Sequence, residues 1–196
     1  MDDSIPDPYD VAAYDARHAR LLVTPEVLQG RIQLDDYNPA WPNVYASEER
    51  RLREVLGQRA GRVEHVGSTS VPGLAAKPII DMVLEVPDSS DEAAYVPDLQ
   101  AAGYVLIIRE PEWFEHRLFK GPEANINLHV FPAACEETDR MVRFRDHLRA
   151  DEADRARYEA VKRELAEQNW KYVQQYADSK SPVVAEILAR AESPPS

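Results

Sequence analysis

The sequence has few of the residues on which several protein classes depend. Cys135 is its only cysteine, which excludes an intramolecular disulfide and is typical of a protein from a reducing compartment. No apolar run approaches the roughly 18 residues of a membrane-spanning helix, and no basic segment precedes an apolar one at the N-terminus. Neither a membrane span nor a secretory signal is predicted, and we expect a cytoplasmic protein with no membrane partner.

Positive charge is also scarce. The chain has 23 Lys and Arg residues against 35 Asp and Glu residues, which gives a formal net charge of −12. Because phosphate backbones are bound by clustered Lys and Arg, this balance argues against extended nucleic acid as a partner. It is compatible with a local basic pocket. The sequence does not indicate an oligomeric state.

What is present is the composition of a globular protein, with 44% hydrophobic and 30% charged residues in a chain of 196. One compact domain is the expectation at this length, and two small domains are the alternative. The acidic start with its two prolines predicts an N-terminal extension over residues 1–30, partly helical or mobile. We predict a single domain over residues 31–190 and a flexible tail over residues 191–196.

The order of apolar patterns predicts the fold class. Short strand-like runs and amphipathic helices share the first two thirds of the chain, and the pattern from about Thr138 onward is helical. This order predicts an α/β (α+β) fold with a mixed central sheet flanked by helices, followed by a helical C-terminal third.

One carboxylate interrupts an apolar strand in "PIIDMVLEV", residues 78–86. Since strand side chains alternate between faces, Asp81 is expected on the face opposite Met82 and Leu84. On the strand "NINLHVF", Asn127 and His129 are expected on the same side as Asp81. Arg117, in "WFEHRLFKG", is also expected to face that side. A carboxylate within such a run has a desolvation cost, so a partner or a function is expected for Asp81.

The stretch "HVGSTSVPGLAAKPIID", which leads into this strand, is rich in small and hydroxyl residues. Gly67 permits close backbone approach, while Ser68, Thr69 and Ser70 offer hydroxyl groups and backbone N–H groups. Such a turn can hold a phosphate oxygen. The alternative is that these residues only build a tight loop.

The turn does not match the standard phosphate-binding or hydrolase motifs. Five residues separate Gly67 from Gly73, and Lys77 does not follow a glycine, so it is not a Walker A loop. No G-x-S-x-G can be read there, and the chain has no H-E-x-x-H and no C-x-x-C.

The same stretch, from Glu64 to Asp81, closely resembles the signature of the GrpB family. Further pieces match in order: "YNPAW" at 37–41, "HRLF" at 116–119, "NLHVF" at 127–131, "FRDHLR" at 144–149 and "ADSKSPVVAEIL" at 177–188. The resemblance spans about residues 31–190, and a contiguous signature of this length is highly specific.

The resemblance implies a fold and a chemistry. GrpB proteins look like members of the DNA polymerase β-type nucleotidyltransferase superfamily, in which a Gly-Ser turn holds phosphate and a strand carries Asp-x-Asp or Asp-x-Glu. Carried over, Gly67 and Ser68 form the turn, with Thr69 and Ser70 beside them, and Asp81 is the first metal ligand. A divalent metal, Mg²⁺ or Mn²⁺, and a nucleoside triphosphate substrate are thereby implied. This chain departs from the pattern at Val83, which cannot bind a metal.

Two kinds of site remain open. A single-metal site uses Asp81 and His129, with His65 as a further candidate ligand. The alternative is an electrostatic site without a metal, in which positive side chains hold phosphates or carboxylates. The candidate side chains for it are Arg117, Lys77 and Lys180.

Two functions follow from these sites. The first is a nucleotidyl- or phosphoryl-group transferase acting on a small molecule, in which Asp81, His129 and Arg117 are the candidate catalytic residues. The second is a non-catalytic nucleotide- or anion-binding accessory module that retains the fold. Domains of this family can occur fused to dephospho-CoA kinase, which suits the accessory role. In both functions the partner is a small-molecule or nucleotide ligand.

Overall fold

A six-stranded mixed sheet carries the candidate site. The computed structural model describes residues 20–22, 27–123 and 125–192. Its strands are β1 Arg20–Leu21, β2 Val27–Gly30, β3 Val63–Val66, β4 Ile80–Val86, β5 Val105–Glu110, β6 His116–Lys120, β7 Ile126–Pro132 and β8 Trp170–Tyr172. Its α-helices are α1 Trp41–Leu56, α2 Val96–Ala101, α3 Glu136–Ala150, α4 Glu152–Ala166, α5 Val173–Ser179 and α6 Ser181–Ala191. Short 3₁₀ turns occupy Gly57–Arg59, Ser68–Ser70 and Glu92–Ala94.

The strand order in the large sheet is β1-β5-β6-β7-β4-β3. Strands β4 and β7 pair in parallel, and the other described pairs in this sheet are antiparallel. Strands β2 and β8 form a separate two-stranded antiparallel sheet. The predicted mixed sheet and the helical C-terminal third are both confirmed.

One face of the large sheet packs against α1 and α2 to form the main core. Met82, Leu84, Leu128 and Val130 are fully buried there, together with Leu52 of α1. Because strand side chains alternate between faces, Asp81, Val83, Asn127 and His129 lie on the opposite face, where Val83 packs in a smaller apolar cluster with Val66. The alternation leaves the opposite face for the candidate site.

The C-terminal helices cover that opposite face. Val71 and Leu74, in the loop before β4, pack against Leu148 of α3, Tyr158 of α4 and Ile187 of α6. The sheet therefore lies between two helical layers, and the loop that precedes Asp81 is held against the second of them.

Some local predictions differ from the structure. The alternating Ile32 and Leu34 in "RIQLDDYNPAWP", residues 31–42, predict a strand, but residues 31–40 contribute only an isolated bridge between Asp35 and Ala76. Within the predicted N-terminal extension, residues 20–21 form the edge strand of the large sheet. Residues 27–30 form one strand of the two-stranded sheet. Residues 1–19 and 193–196 lie outside the described residues, so the rest of the extension and most of the tail stay predictions.

No helix among the described residues is long and apolar enough to cross a membrane.

Candidate functional site

Gly67 begins the turn between β3 and β4, and its backbone requires glycine. Its φ is +69°, in the left-handed region that residues with a side chain rarely adopt. A Cβ at this position would lie 2.5 Å from Oδ2 and 3.0 Å from Cβ of Asp81. The turn thus brings the backbone of Gly67 directly against the Asp81 carboxylate.

Two hydroxyl groups of the turn are used to hold its shape. Ser70 Oγ donates a hydrogen bond to the carbonyl of Gly67 at 2.6 Å, and Thr69 Oγ1 donates to the carbonyl of Ile79 at 3.0 Å. Both side chains are buried. Ser68 differs, because it lines a cavity and its hydroxyl forms a hydrogen bond with Tyr158.

His65, near the end of β3, holds the turn through a hydrogen bond with the side chain of Thr69. Its Nε2 lies 3.0 Å from Thr69 Oγ1. Because the single hydroxyl hydrogen of Thr69 goes to Ile79, the Nε2–H of His65 is the donor. Its ring stacks on Tyr45 at 5.0 Å. Burial, reinforced by two nearby arginines, lowers the pKa of His65 to about 4, so the ring is neutral. This geometry gives His65 a positioning role, and its predicted role as a ligand-binding residue stays a prediction.

Arginines of α3 bind the main chain of the turn. Arg149 donates two hydrogen bonds to the carbonyl of Ser70, at 3.0 and 2.8 Å. Arg145 donates to the carbonyl of His65 at 3.0 Å and to the Glu64 carboxylate at 2.7 Å. Helix α3 therefore holds both ends of the 3₁₀ turn.

Asp81 stands at the centre of a polar relay on the sheet. It pairs in register with Asn127, whose Nδ2 donates to Oδ1 of Asp81 at 2.8 Å. Asn127 Oδ1 accepts in turn from Lys120 Nζ at 2.6 Å. Burial raises the pKa of Asp81, and this effect is opposed by the Asn127 hydrogen bond and by the charges of nearby lysines. The predicted placement of Asp81 and Asn127 on one face is confirmed.

A small cavity opens beside Asp81. Its volume is about 170 Å³, and the amine-bearing side chains Lys77, Lys162 and Lys180 line it. The whole sequence contains 18 arginines and five lysines. Three of those five lysines therefore line one cavity. A fourth, Lys120, contacts Asp81 indirectly, because both bind the side-chain amide of Asn127. Other positive charges on this chain are carried mainly by arginine.

Lys162 is the residue of the site that sequence reasoning missed. It lies on α4 and is only 1% exposed. Its Nζ donates to the carbonyl of Ala75 and lies 5.3 Å above the ring of Tyr158. Burial lowers its pKa to about 7, and the nearby charge of Lys180 adds to this effect. Lys162 lies four residues after Tyr158, so the two side chains share the buried stripe of α4.

Tyr176 of α5 carries an unpartnered hydroxyl at the same cavity. The side chain is 2% exposed, and its hydroxyl oxygen makes no hydrogen bond with any described residue. Lys180 Nζ lies 4.7 Å from the centre of its ring. Because a buried hydroxyl without a partner costs free energy, this group is a candidate hydrogen-bond donor to a ligand bound in the cavity.

A second, larger cavity meets the first. Its volume is about 720 Å³, and it shares Asp81, Gln174, Ala177 and Lys180 with the small one. His129 lines the larger cavity and not the smaller one.

His129 ends a chain of three side chains. Its Nδ1 lies 3.0 Å from Nε2 of His116, whose Nδ1 lies 2.7 Å from the Glu110 carboxylate. Burial and the adjacent His116 lower the pKa of His129 to about 3. His129 is therefore neutral at physiological pH, with its orientation fixed by its neighbour, and its catalytic role stays a prediction.

Arg117 does not face the site, so its predicted placement is wrong. It pairs in register with Val130, a residue of the main core, whereas Lys120 pairs with Asn127. The Arg117 guanidinium binds the Glu92 carboxylate at 2.7 Å on the core side of the sheet. Lys120 takes the place on the site face that was predicted for Arg117.

The side chains around Asp81 do not fit a divalent cation. The charged groups that act on it are Lys77, Lys120 and Lys180, all positive, and they would repel a second cation. Asn127 already occupies one carboxylate oxygen. The Mg²⁺ or Mn²⁺ site at Asp81 and His129 stays a prediction. Among the described residues, no group of three metal-binding side chains converges there.

Three potential ligand atoms do converge elsewhere, at His147, Asp151 and Asp154. They already have structural partners. Asp151 caps α4 by accepting from the backbone N–H of Asp154 at 2.8 Å, and Asp154 binds both His147 and Arg190. These hydrogen bonds and ion pairs connect α3, α4 and α6, so the convergence of the three side chains has a structural explanation.

Comparison with known proteins places this arrangement in a family. The family described as GrpB protein matches residues 31–190. A UPF0157 protein from Halalkalibacterium halodurans is 59% identical over 162 residues, which are 83% of this chain and 83% of that protein. The crystal structure of conserved protein GrpB from Enterococcus faecalis matches with a TM-score of 0.71 at 26% identity, covering 82% of this chain and 100% of that one.

A more distant relative is named as an enzyme. A dephospho-CoA kinase from Mycolicibacterium paratuberculosis is 28% identical over 199 aligned residues. The match covers 88% of this chain and 49% of the kinase.

Proposed function

Because the chain belongs to the GrpB family, we propose that it binds the phosphate groups of a small phosphorylated molecule, such as a nucleotide, in the cavity beside Asp81. The observation that carries this proposal is the convergence of Lys77, Lys162 and Lys180 on one small cavity of a protein with a net charge of −12. Among the described residues that line the cavity, Asp81 is the one carboxylate beside three amines, while Asp178 and Glu159 act on Lys180 and Lys162 from outside it. This lining favours an anionic ligand.

Other groups of the cavity suit the same ligand. The Ser68 hydroxyl and the unpartnered Tyr176 hydroxyl are hydrogen-bond donors to phosphate oxygens. Lysine binds phosphate as a compact point charge, and its amines replace the metal ion that the two-carboxylate pattern would hold. A phosphate-binding function also agrees with the name of the relative that is a kinase.

We expect pyrophosphate to bind without a divalent metal and to depend on Lys180. Removing one charge-assisted hydrogen bond in Lys180→Met should weaken binding by about tenfold, because such a bond contributes on the order of 1.5–3 kcal/mol. Isothermal titration with pyrophosphate in the presence of EDTA measures this. Arg157→Met is the control, since it removes one positive charge from α4 at an exposed ion pair with Glu186.

Binding that requires Mg²⁺ or Mn²⁺, or an equal loss in both variants, would contradict the proposal. The first result would restore the predicted metal site at Asp81. The second would show that only the overall charge of the protein matters.

Group transfer is a second candidate function, and the amine of Lys162 favours it. With a pKa of about 7, this amine is poised to exchange a proton near neutral pH beside the carboxylate of Asp81. If it acts as a base, it takes the proton from an acceptor hydroxyl group or water molecule as that oxygen attacks the α-phosphorus of ATP and pyrophosphate leaves. Release of pyrophosphate should then rise with pH through about 7. Lys162→Met should lose that rise. A wild-type protein that releases no phosphate or pyrophosphate from any nucleoside triphosphate performs binding alone.

A further inference from the structure

The two cavities meet at a single charged junction. Asp81 and Lys180 line both, as do Gln174 and Ala177 of α5. A molecule whose charged end lies between the lysines can therefore extend directly into the larger space.

The linings of the two cavities differ in chemistry. The small one is lined by three lysines, a carboxylate, two amide side chains and three hydroxyl-bearing side chains. The large one is lined mainly by apolar side chains from α3, α4 and α6: Met141, Phe144, Tyr158, Val184 and Leu188. Its remaining guanidinium, Arg140, is already held by two hydrogen bonds to Glu137 at 2.6 Å. The carboxylate of Asp178 also lines this cavity and accepts a hydrogen bond from Gln174 at 2.8 Å. The larger cavity thus presents mainly apolar surface, with its charged groups Arg140 and Asp178 each held by a partner.

The shape of the larger cavity suits the body of a small molecule. Its volume of about 720 Å³ lies within the range of small-molecule sites. The rings of Phe144 and Tyr158 stand perpendicular, with centroids 5.2 Å apart, so one ring offers a face beside the edge of the other. Either a planar group or an aliphatic chain buries apolar surface against such a wall.

We propose that the ligand is an amphipathic phosphate compound, with its phosphate among the lysines of the small cavity and an apolar body in the larger cavity. This inference rests on the proposed function and specifies its substrate class. The body is recognised by apolar burial, which a nucleoside and an isoprenoid or alkyl chain both provide.

Three probes separate the two ends of the ligand. Pyrophosphate carries the charged end alone, ADP adds a nucleoside, and geranyl diphosphate adds an aliphatic chain. We expect at least one of the two larger probes to bind about tenfold more tightly than pyrophosphate, because burial of apolar surface adds to the affinity. The stronger of the two identifies the body.

Ala185→Trp places an indole ring in the larger cavity from a position that does not line the small one. Ala185 is exposed on α6 and lines the larger cavity only. The variant should lose the gain of the preferred probe and keep the wild-type affinity for pyrophosphate. Glu186→Trp is the control of equal size, because Glu186 points to Arg157 on the surface.

Two results would overturn the inference while leaving phosphate binding intact. One is equal affinity for all three probes, and the other is unchanged binding of the preferred probe in Ala185→Trp. A protein that binds none of the three probes contradicts the proposed function itself, so the two failures are distinguishable.

Discussion

Gly67→Ala is expected to lower the free energy of unfolding by about 2–4 kcal/mol and to abolish pyrophosphate binding. The new methyl group would overlap the Asp81 side chain, and overpacking of this kind costs about 1–3 kcal/mol. Asp81 cannot turn away without losing its hydrogen bond from Asn127. The positive φ adds about 1 kcal/mol of backbone strain. Urea denaturation and isothermal titration measure the two effects.

Gly73→Ala separates the collision from the strain. Gly73 has a φ of +78°, and a Cβ there would have no atom within 4 Å. It should cost only the strain, about 1 kcal/mol, and leave pyrophosphate binding unchanged. If the two alanine variants are equally stable, the close approach of Gly67 to Asp81 has no energetic weight.

The stability of the protein is expected to fall by about 2.5 kcal/mol between pH 7 and pH 5.5. In the unfolded chain a histidine takes up a proton near its ordinary pKa of about 6.5. In the folded protein His65 and His129 stay neutral down to pKa values of about 4 and 3. Protonation therefore favours the unfolded state as the pH falls from about 6.5 toward 4, by roughly 1.3 kcal/mol per histidine at pH 5.5.

Variants of the two histidines test this attribution. Urea unfolding at pH 7, 6.5, 6 and 5.5 stays above the sequence pI of about 4.9, where solubility is lowest. His65→Gln and His129→Asn should each reduce the loss by about half. The raised pKa values of Asp81 and Asp178 act in the opposite direction, because their protonation favours the folded state. A stability that is flat or rises toward pH 5.5 in the wild type would contradict the role of the histidines.

Strand periodicity predicted the part of the site that lies on β4 and β7. Two apolar stripes of fixed period determine which side chains point away from the core, so Asp81, Asn127 and His129 were placed together correctly. The Gly67 turn, which precedes β4, was predicted from another local property, its run of small and hydroxyl residues.

Arg117 shows where periodicity fails. Both Arg117 and Leu118 fit an alternating pattern, and the face of each depends on how β6 pairs with β7. That register is set by the hairpin around Gly121 and not by the pattern of β6 alone. In the observed register, Lys120 lies on the site face and the Arg117 guanidinium contacts the Glu92 carboxylate.

Lys162 and Tyr176 could not be found from local patterns. A lysine on an acidic and basic helix is usually solvated, and a tyrosine in a helical segment usually packs. Their role depends on α4 and α5 lying over the open face of the sheet, an arrangement between parts of the chain that are about eighty residues apart. The scarcity of lysine was the one sequence property that pointed to this convergence.

The way α3 and α4 hold the turn has a consequence for sequence variation. Arg149, Arg145 and Lys162 all donate to main-chain carbonyls of the turn and its flanks, and Glu159 accepts from the main-chain N–H of Ala75. Such contacts do not depend on the side chain of the residue whose backbone they bind. Drift in the exposed positions of the loop, such as Pro72, should leave the geometry of the anion site unchanged. Beyond Gly67, Thr69 and Ser70, selection should act on the helices, so part of what preserves the site is far from it in sequence.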